Sequence, residues 1–259
     1  MVAQQIAERA KRAIRDSTPI YALQKATAGL FKRWPIERVP WWLGKLHQIS
    51  VPRGVVPNKE PSPLGAANIS NIFELLKRTM NLTGDIAECG VYRGGTLIPI
   101  AYYVKQHRIQ KKVIGFDSFE GFGSSIHFDL SIGGLDGSEK RVGGFGDTSC
   151  IRLREKIDCL GLKQYVALVP GYFEKTLPLL PDHKFCFVHL DCDTHDSYRC
   201  CLEFFYPRVV PGGIILLDEY NDPFWPGCNL AVDNFLANKP ERLQEISMDN
   251  YLKYFVQKK

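Results

Sequence analysis

The stretch Ile86-Ala-Glu-Cys-Gly-Val-Tyr-Arg-Gly-Gly-Thr96 decides the fold. A short apolar run contains the acid Glu88, glycines follow at positions 90, 94 and 95, and apolar residues recur from Leu97. This order is typical of a β-strand, a tight turn and a helix. Glycines let the backbone turn and approach a ligand, and the start of the next helix offers free N–H groups. The stretch therefore predicts the first unit of an open α/β sheet, with a ligand at the turn.

Apolar runs of the β type recur along the chain and alternate with helical stretches. Further strands are predicted at Val113–Phe116, Tyr165–Val169, Phe185–Leu190 and Ile214–Leu217. Helices are predicted between Asn68 and Gly84 and at Leu97–Val104, Tyr198–Phe205 and Leu230–Leu236. Strands that alternate with helices in this way form parallel sheets.

The end of the chain changes this pattern. Arg242–Met248 and Tyr251–Gln257 alternate apolar and polar residues on either side of Asp249-Asn250. Two such runs around a short turn predict an antiparallel hairpin at the sheet edge. The expected fold is α/β, a doubly wound, mostly parallel seven-stranded sheet with antiparallel C-terminal edge strands.

The beginning of the chain predicts a helical appendage, and we divide the chain into an arm at 1–65 and a catalytic domain at 66–259. The arm has an amphipathic stretch near Val2–Arg15, aromatic clusters at Trp34-Pro35 and Pro40-Trp-Trp42, and a Pro-containing linker from Val51 to Pro63. Two interpretations remain open: an arm that packs on the core or on a sister subunit, which favours a homo-oligomer, or an aromatic lid over the acceptor site.

Composition and charge exclude several classes of protein. The 259 residues include no apolar run long enough to span a bilayer, and the start has no signal-peptide core, so we expect a cytoplasmic protein without a membrane partner. The eight cysteines form no CxxC framework, which favours reduced thiols. Residues 1–60 hold eleven Lys and Arg against four Asp and Glu, which leaves the other 199 residues with a net charge of −2. A catalytic part without basic excess argues against a nucleic-acid partner.

The turn after the first strand favours a cationic nucleoside ligand. The chain has no GxGxxG motif there, which counts against a dinucleotide. Glu88 would repel a pyrophosphate but suits the ammonium of a methionine moiety. Asp117 follows the second strand, 29 residues later, where an acid can accept hydrogen bonds from ribose hydroxyls. The Gly-rich stretch between Gly121 and Gly146 has little periodicity and is a candidate substrate loop.

Four acids follow the last two parallel strands. Asp191-Cys-Asp193 follows the fourth and Asp218-Glu219 the fifth. If these strands are neighbours, the four carboxylates converge at one rim of the sheet and repel one another unless positive charge compensates them. Oxygen ligands without clustered His or Cys favour Mg²⁺, with Mn²⁺ or Ca²⁺ as alternatives.

Five motifs together resemble the macrocin O-methyltransferase family of class I S-adenosylmethionine-dependent methyltransferases. They span residues 85–236 in the family's order and are Ala87-Glu-Cys-Gly-Val-Tyr-Arg-Gly-Gly-Thr96, Gly115-Phe-Asp-Ser-Phe-Glu-Gly121, Gly171-Tyr-Phe-Glu-Lys-Thr-Leu177, Val188-His-Leu-Asp-Cys-Asp193 and Pro211-Gly-Gly213 leading to Asp218-Glu-Tyr220. The resemblance implies a Rossmann-like methyltransferase fold and S-adenosyl-L-methionine as the cofactor. It implies that the cofactor-binding residues are Glu88, Gly90, Tyr92, Arg93, Gly94, Thr96, Asp117 and Ser118, with Phe119, Asp147 and Tyr172 lining the cleft. Tyr92 stands where the broader class has a glycine.

The resemblance also implies a catalytic site. It assigns Asp191, Asp218 and an adjacent acid to Mg²⁺ and Asp193 to the base that takes the acceptor's proton. The family commonly has Asp-Asp-Tyr where this chain has Asp218-Glu-Tyr220, so Glu219 must reach the metal with one more methylene. His195 is a rival base, since an imidazole titrates near neutrality. His189 precedes the metal acid inside an apolar strand, and we interpret it as structural.

The sequence therefore predicts a Mg²⁺-dependent O-methyltransferase that acts on a sugar hydroxyl or another small polyhydroxylated metabolite. The alternatives are a metal-independent methyltransferase, a nicotinamide-dependent oxidoreductase and a non-catalytic binding protein. The missing dinucleotide motif argues against the oxidoreductase, and the acid cluster argues against the binding protein. Asn-Pro-Pro-Tyr-type base-methylation signatures are absent.

Overall fold

A computed structural model describes residues 19–33, 41–48, 66–134, 137, 139–248 and 251–259. The predicted helix near Val2–Arg15, the Trp34-Pro35 cluster, the Val51–Pro63 linker and the Asp249-Asn250 turn lie outside these residues. The boundary between an arm at 1–65 and a domain at 66–259, and the homo-oligomer, stay predictions.

Within the described residues, seven strands and nine α-helices follow one another. The strands are β1 (Asp85–Cys89), β2 (Val113–Asp117), β3 (Val166–Pro170), β4 (Phe185–Leu190), β5 (Val209–Leu217), β6 (Leu243–Met248) and β7 (Tyr251–Gln257). The helices are α1 (Pro19–Thr27), α2 (Trp41–His47), α3 (Ala66–Thr79), α4 (Leu97–Gln106), α5 (Ile126–Ile132), α6 (Cys150–Cys159), α7 (Phe173–Thr176), α8 (His195–Phe205) and α9 (Pro226–Leu236). Short 3₁₀ segments lie at Ala28–Arg33 and Leu177–Leu179.

The seven strands form one sheet in the order β3-β2-β1-β4-β5-β7-β6. The first five pair in parallel, and β7 pairs antiparallel with both β5 and β6. This order confirms the predicted doubly wound sheet with an antiparallel C-terminal edge. The chain runs outward from β1 on one side and from β4 on the other, so the crevice between β1 and β4 is where such sheets bind ligands.

The central strands β1, β2, β4 and β5 are mostly buried because both faces of the sheet are covered there. Along β5, Ile214 and Leu216 pack into a cluster on one face, while Ile215 and Leu217 pack into a cluster on the other. Side chains alternate between faces of a strand, so a strand covered on both sides is apolar at every position. This explains why β5 has a run of consecutive apolar residues. The carboxyl ends of these strands are thereby fixed rigidly at one rim.

Several predicted boundaries were wrong. Strand β5 begins at Val209, before Pro211-Gly-Gly213, because Val209 pairs with Phe185 across an irregularity in the ladder. Helix α3 begins at Ala66, ahead of the expected start at Asn68. The stretch from Gly121 to Gly146, which was predicted to have little periodicity, contains the short helix α5.

In the described part of the chain, no helix has the length and apolar character needed to cross a membrane.

Candidate active site

The turn after β1 lies directly against the end of β4. Gly90 has a φ of +91°, and a Cβ there would lie 1.6 Å from the carbonyl oxygen of Asp191. Gly90 N–H donates to the Phe116 carbonyl at 2.9 Å, and Asp191 N–H donates to the Cys89 carbonyl at 2.9 Å. Only glycine permits both the left-handed backbone and this close approach. The predicted cofactor turn and the first predicted metal acid are therefore in backbone contact.

Asp117 joins the first two predicted cofactor loops. Its Oδ2 accepts a hydrogen bond from the Tyr92 N–H at 2.7 Å, and its Oδ1 accepts one from the Phe119 N–H at 2.6 Å. Burial raises the pKa of Asp117, and these backbone donors oppose the rise. Each carboxylate oxygen keeps a second lone pair for a ligand hydroxyl.

A cavity of about 990 Å³ opens beside these loops. Among the predicted site residues, its wall contains Gly90, Tyr92, Asp117, Ser118, Tyr172, Asp191 and Asp193. The candidate substrate loop contributes residues 121–125 together with Gly144 and Phe145. One cavity thus joins five of the predicted cofactor residues, two of the acids and the Gly-rich stretch.

Other predicted cofactor residues support the turn without forming the wall of this cavity. A Cβ on Gly94 would lie 2.6 Å from the Leu153 side chain, so this glycine lets the turn lie against α6. Thr96 directly precedes α4, and Phe119 packs against the core. Arg93 pairs with Asp147, and the Tyr92 hydroxyl donates to Asp147 at 2.7 Å. Their part in cofactor binding stays a prediction.

Three of the four predicted acids come together at the rim. The Asp218 N–H donates to the Leu190 carbonyl at 2.9 Å, which continues the β4–β5 ladder past the strands. Asp191, Asp218 and Glu219 each offer a carboxylate oxygen within 4.8 Å of the others. Burial raises the pKa of Asp191, and the Asp218 charge raises it further. Neighbouring strands therefore create a carboxylate cluster of the kind that binds hard divalent cations.

Glu219 points into this cluster despite its longer side chain. It is 4% exposed, and its Oε2 lies 2.6 Å from the Tyr198 hydroxyl of α8. Burial raises the pKa of Glu219 well above its usual range, and the Asp191 and Asp193 charges add to this. A cation in the cluster would relieve the same repulsion.

The two candidate bases lie in different surroundings. Asp193 has a φ of 60° and its N–H donates to Glu219 at 3.4 Å. Burial and the neighbouring Asp191 charge raise the pKa of the Asp193 carboxyl well above its usual range. His195 begins α8, where its ring contacts Asp196 at 3.0 Å and stacks on Phe128 at 4.2 Å between ring centres. The geometry therefore keeps Asp193 in the cavity wall and beside the acids.

Buried positive charge offsets the acids, in an arrangement that the sequence did not predict. The two ring nitrogens of His189 lie 3.2 Å from Glu88 and 3.2 Å from Asp218. Lys253, on β7, lies 2.9 Å from the second oxygen of Asp218. Burial alone would lower the pKa of His189, but its hydrogen bonds to Asp218 and Glu88 outweigh burial and raise the pKa to about 10.

His189 thus lies inside its strand, as expected, but connects the predicted cofactor acid to a predicted metal acid. In β7, Lys253 lies two residues before the buried Phe255 and therefore on the same face of the strand, which is unusual for a lysine. That signal could not be recognised without knowing that β7 pairs with β5.

Glu88 provides a direct test of whether a cationic cofactor fits. It is 1% exposed, and its Oε2 has no hydrogen-bond partner among the described residues. Burial raises the pKa of Glu88 to about 7, against the opposing hydrogen bond from His189. An ammonium group would satisfy the orphaned oxygen and offset its charge. Glu88 is not part of the cavity wall, so its fit to a cationic ligand rests on this orphaned oxygen.

The sequence and the fold match known proteins. A model of the macrocin O-methyltransferase (TylF) family matches residues 56–256. Demethyldecarbamoylnovobiocin O-methyltransferase of Streptomyces niveus is 26% identical over 190 residues, 70% of each chain. A relative from Streptomyces olivaceus is 30% identical over 180 residues, 63% of this chain and 69% of that one. It is an 8-demethyl-8-(2,3-dimethoxy-alpha-L-rhamnosyl)-tetracenomycin-C 4'-O-methyltransferase.

Solved structures agree with these matches. The O-methyltransferase NovP has a TM-score of 0.63 at 25% identity and covers 93% of this chain and 98% of its own. The calicheamicin methyltransferase CalS11 has a TM-score of 0.64 at 19% identity, with 93% of each chain covered. The second likeness supports the fold.

Proposed function

Because the chain belongs to the macrocin O-methyltransferase family and is an S-adenosylmethionine-dependent O-methyltransferase, we propose that it methylates a sugar hydroxyl of a small molecule with the help of Mg²⁺. The observation that carries this proposal is the convergence of Asp191, Asp218 and Glu219 beside the cavity whose wall contains five of the predicted cofactor residues.

The cofactor half of the proposal rests on Glu88, Gly90 and Asp117. The unpartnered oxygen of Glu88 would accept the ammonium of the methionine moiety. Gly90 lines the cavity and lets the turn lie against Asp191, and Asp117 would accept the ribose hydroxyls from the cavity wall.

The metal half rests on the donor set. Asp191, Asp218 and Glu219 present only carboxylate oxygens at the cluster, which suits Mg²⁺. A bound Mg²⁺ would lower the pKa of the acceptor hydroxyl, as divalent ions do for bound water. Asp191 and Asp218 would hold the ion from two adjacent strands, and Glu219 would complete the set.

Asp193 would take the proton. Asp193 lines the cavity and its N–H donates to Glu219 of the cluster, so its carboxyl would accept a hydrogen bond from an acceptor hydroxyl there. A bound S-adenosylmethionine would supply the methyl group, and Asp193 would take the hydroxyl proton as the acceptor oxygen displaces the sulfonium sulfur from the methyl carbon. His195 stays the rival base, since it begins the helix that follows Asp193.

The acceptor class rests on the relatives. The related enzymes are named for methylation of a novobiocin precursor, of the 3'' position of mycinamicin III and of a rhamnosyl-tetracenomycin. We extend a sugar acceptor from them to this chain.

A methyl-transfer assay with labelled S-adenosylmethionine and a panel of glycosides tests the proposal. We expect a product with one added methyl group, loss of activity with a chelator and recovery with Mg²⁺. Asp191→Asn should lower the rate by about 100-fold or more, because removal of groups that stabilise developing charge costs this much in enzymes. Asp182→Asn, an exposed acid before β4, is the matched control and should leave the rate unchanged.

Full activity in chelator would support the metal-independent alternative, which the Lys253–Asp218 ion pair favours because it already offsets part of the acidic charge. Absence of methyl transfer to every hydroxylated acceptor would contradict the proposed acceptor class. These two results are independent of each other.

A further inference from the structure

We infer that Lys253 is a positioning residue of the acid cluster, a built-in counter-cation that holds Asp218 and keeps the affinity for a divalent cation low. The inference deepens the proposed function and rests on its metal site. It gives the C-terminal hairpin of β6 and β7 a part in the chemistry.

The contacts of Lys253 are specific and buried. Its Nζ lies 2.9 Å from Asp218 Oδ2 and donates to the backbone carbonyl of Asp218 at 2.6 Å. The residue is 4% exposed. A buried lysine is rare unless it is paired, and loss of its partner would leave an uncompensated charge.

The sheet register brings the lysine to this place. Strand β7 pairs antiparallel with β5, and Tyr254 lies opposite Leu217, the last residue of β5. Lys253 therefore lies beside Asp218, the next residue along. The hairpin therefore places the Lys253 ammonium at the same rim of the sheet where the parallel strands place their carboxylates.

The positive charge of Lys253, more than its hydrogen bonds to Asp218, should control the affinity of the cluster for a metal ion. The other oxygen of Asp218 is held by His189 at 3.2 Å, so the carboxylate keeps an anchor if Lys253 is neutralised. A fixed ammonium on the same carboxylate repels an incoming divalent cation, and such repulsion is strong between buried charges. Neutral variants should therefore bind a cation more tightly.

Titration of Mn²⁺ into the full-length protein, followed by electron paramagnetic resonance of the free ion, tests this. We expect Lys253→Met to lower the Kd for Mn²⁺ by about tenfold and Lys253→Arg, which keeps the charge, to leave it within about threefold. Lys258→Met is the matched control, because Lys258 pairs with Glu241 at 3.2 Å beyond the far end of β7. It removes the same charge away from the cluster and should leave the Kd unchanged.

Each outcome decides between the proposals. Equal or weaker Mn²⁺ binding by Lys253→Met would overturn the inference and leave the metal-dependent function intact. Binding by Lys253→Met but not by the native protein would support the inference and contradict metal dependence of the native enzyme. Absence of binding in both would contradict both proposals.

A folding defect would still be informative. If Lys253→Met or the milder Lys253→Gln unfolds without metal, addition of Mn²⁺ during refolding should restore it, since the cation replaces the missing charge. Failure of both variants to refold with Mn²⁺ would overturn the inference.

Discussion

At the scale of single residues, the site depends on how closely two backbones approach. Gly90 and Asp191 directly follow strands β1 and β4, and their contact leaves no room for a side chain. The motif of glycines could be recognised in the sequence, but the reason for Gly90 could not. The reason is the contact with Asp191, which is 101 positions later in the sequence and comes close only because β1 and β4 are neighbours in the sheet.

Gly90→Ala should destabilise the protein and abolish cofactor binding. The added methyl group would combine a left-handed backbone at φ +91° with overlap on the Asp191 carbonyl. We expect a loss of about 2 kcal/mol or more in the free energy of unfolding, measured in urea. Binding of S-adenosylhomocysteine, measured by calorimetry, should be lost.

Gly133→Ala separates strain from overlap. Gly133 also has a positive φ, of 81°, but nothing lies within 4 Å of a Cβ placed there. This variant carries backbone strain without overlap, so it should lose about 1–3 kcal/mol and bind S-adenosylhomocysteine normally. Equal effects of the two substitutions would contradict the importance of the contact with Asp191.

At the scale of elements, α5 connects the candidate substrate loop to the catalytic helix. The N–H of His195, the first residue of α8, donates to the Asp129 carboxylate at 3.0 Å. Asp129 is buried, so α5 caps α8 from outside. An acid at a helix N-terminus is favourable because it accepts free N–H groups and faces the positive end of the helix dipole.

Asp129→Ala should therefore release α5 and weaken acceptor binding. Loss of the cap should cost about 1–2 kcal/mol of stability. We expect the KM for the acceptor to rise at least about fivefold while the KM for S-adenosylmethionine stays within about twofold. Ser131→Ala, an exposed change on the same helix, is the control and should alter neither. A rise in both constants would indicate general disruption instead.

Glu241 contacts Lys258 and Lys259, the two residues that follow β7. Its carboxylate therefore predicts that the stability of the protein depends on pH. Burial alone would raise the pKa of Glu241, but hydrogen bonds from Tyr206 and Lys259 and the Lys258 ammonium lower it from 4.5 to about 2. A lowered pKa means that the folded state binds the proton more weakly than the unfolded state. The stabilisation is complete above pH 4.5 and is lost as the pH falls towards 2.

Glu241→Gln should thus be less stable than the native protein in urea at pH 7. The difference should shrink steadily as the pH is lowered from 4.5 to 2. A difference that does not change over this range would show that Glu241 acts through packing alone.

At the scale of the whole molecule, alternation of apolar runs was enough to predict the sheet and its antiparallel edge. Alternation could not predict the start of β5 or helix α5, because pairing with Phe185 and packing against α8 and α9 decide them. The acids were recognisable as a group because Asp191 and Asp218 each follow a strand. Lys253 and the bridge made by His189 depend on pairing across distant segments, so the sequence could not reveal them.

The central claim is that Asp191 and Asp218 share a divalent cation beside the methyl donor. The most direct measurement is a crystal structure with S-adenosylhomocysteine and Mn²⁺, with anomalous data collected at the manganese edge. We predict an anomalous peak within about 2.5 Å of oxygens from both acids, next to a cavity that holds the cofactor. A cavity filled by S-adenosylhomocysteine with no anomalous peak at the acids would contradict the claim.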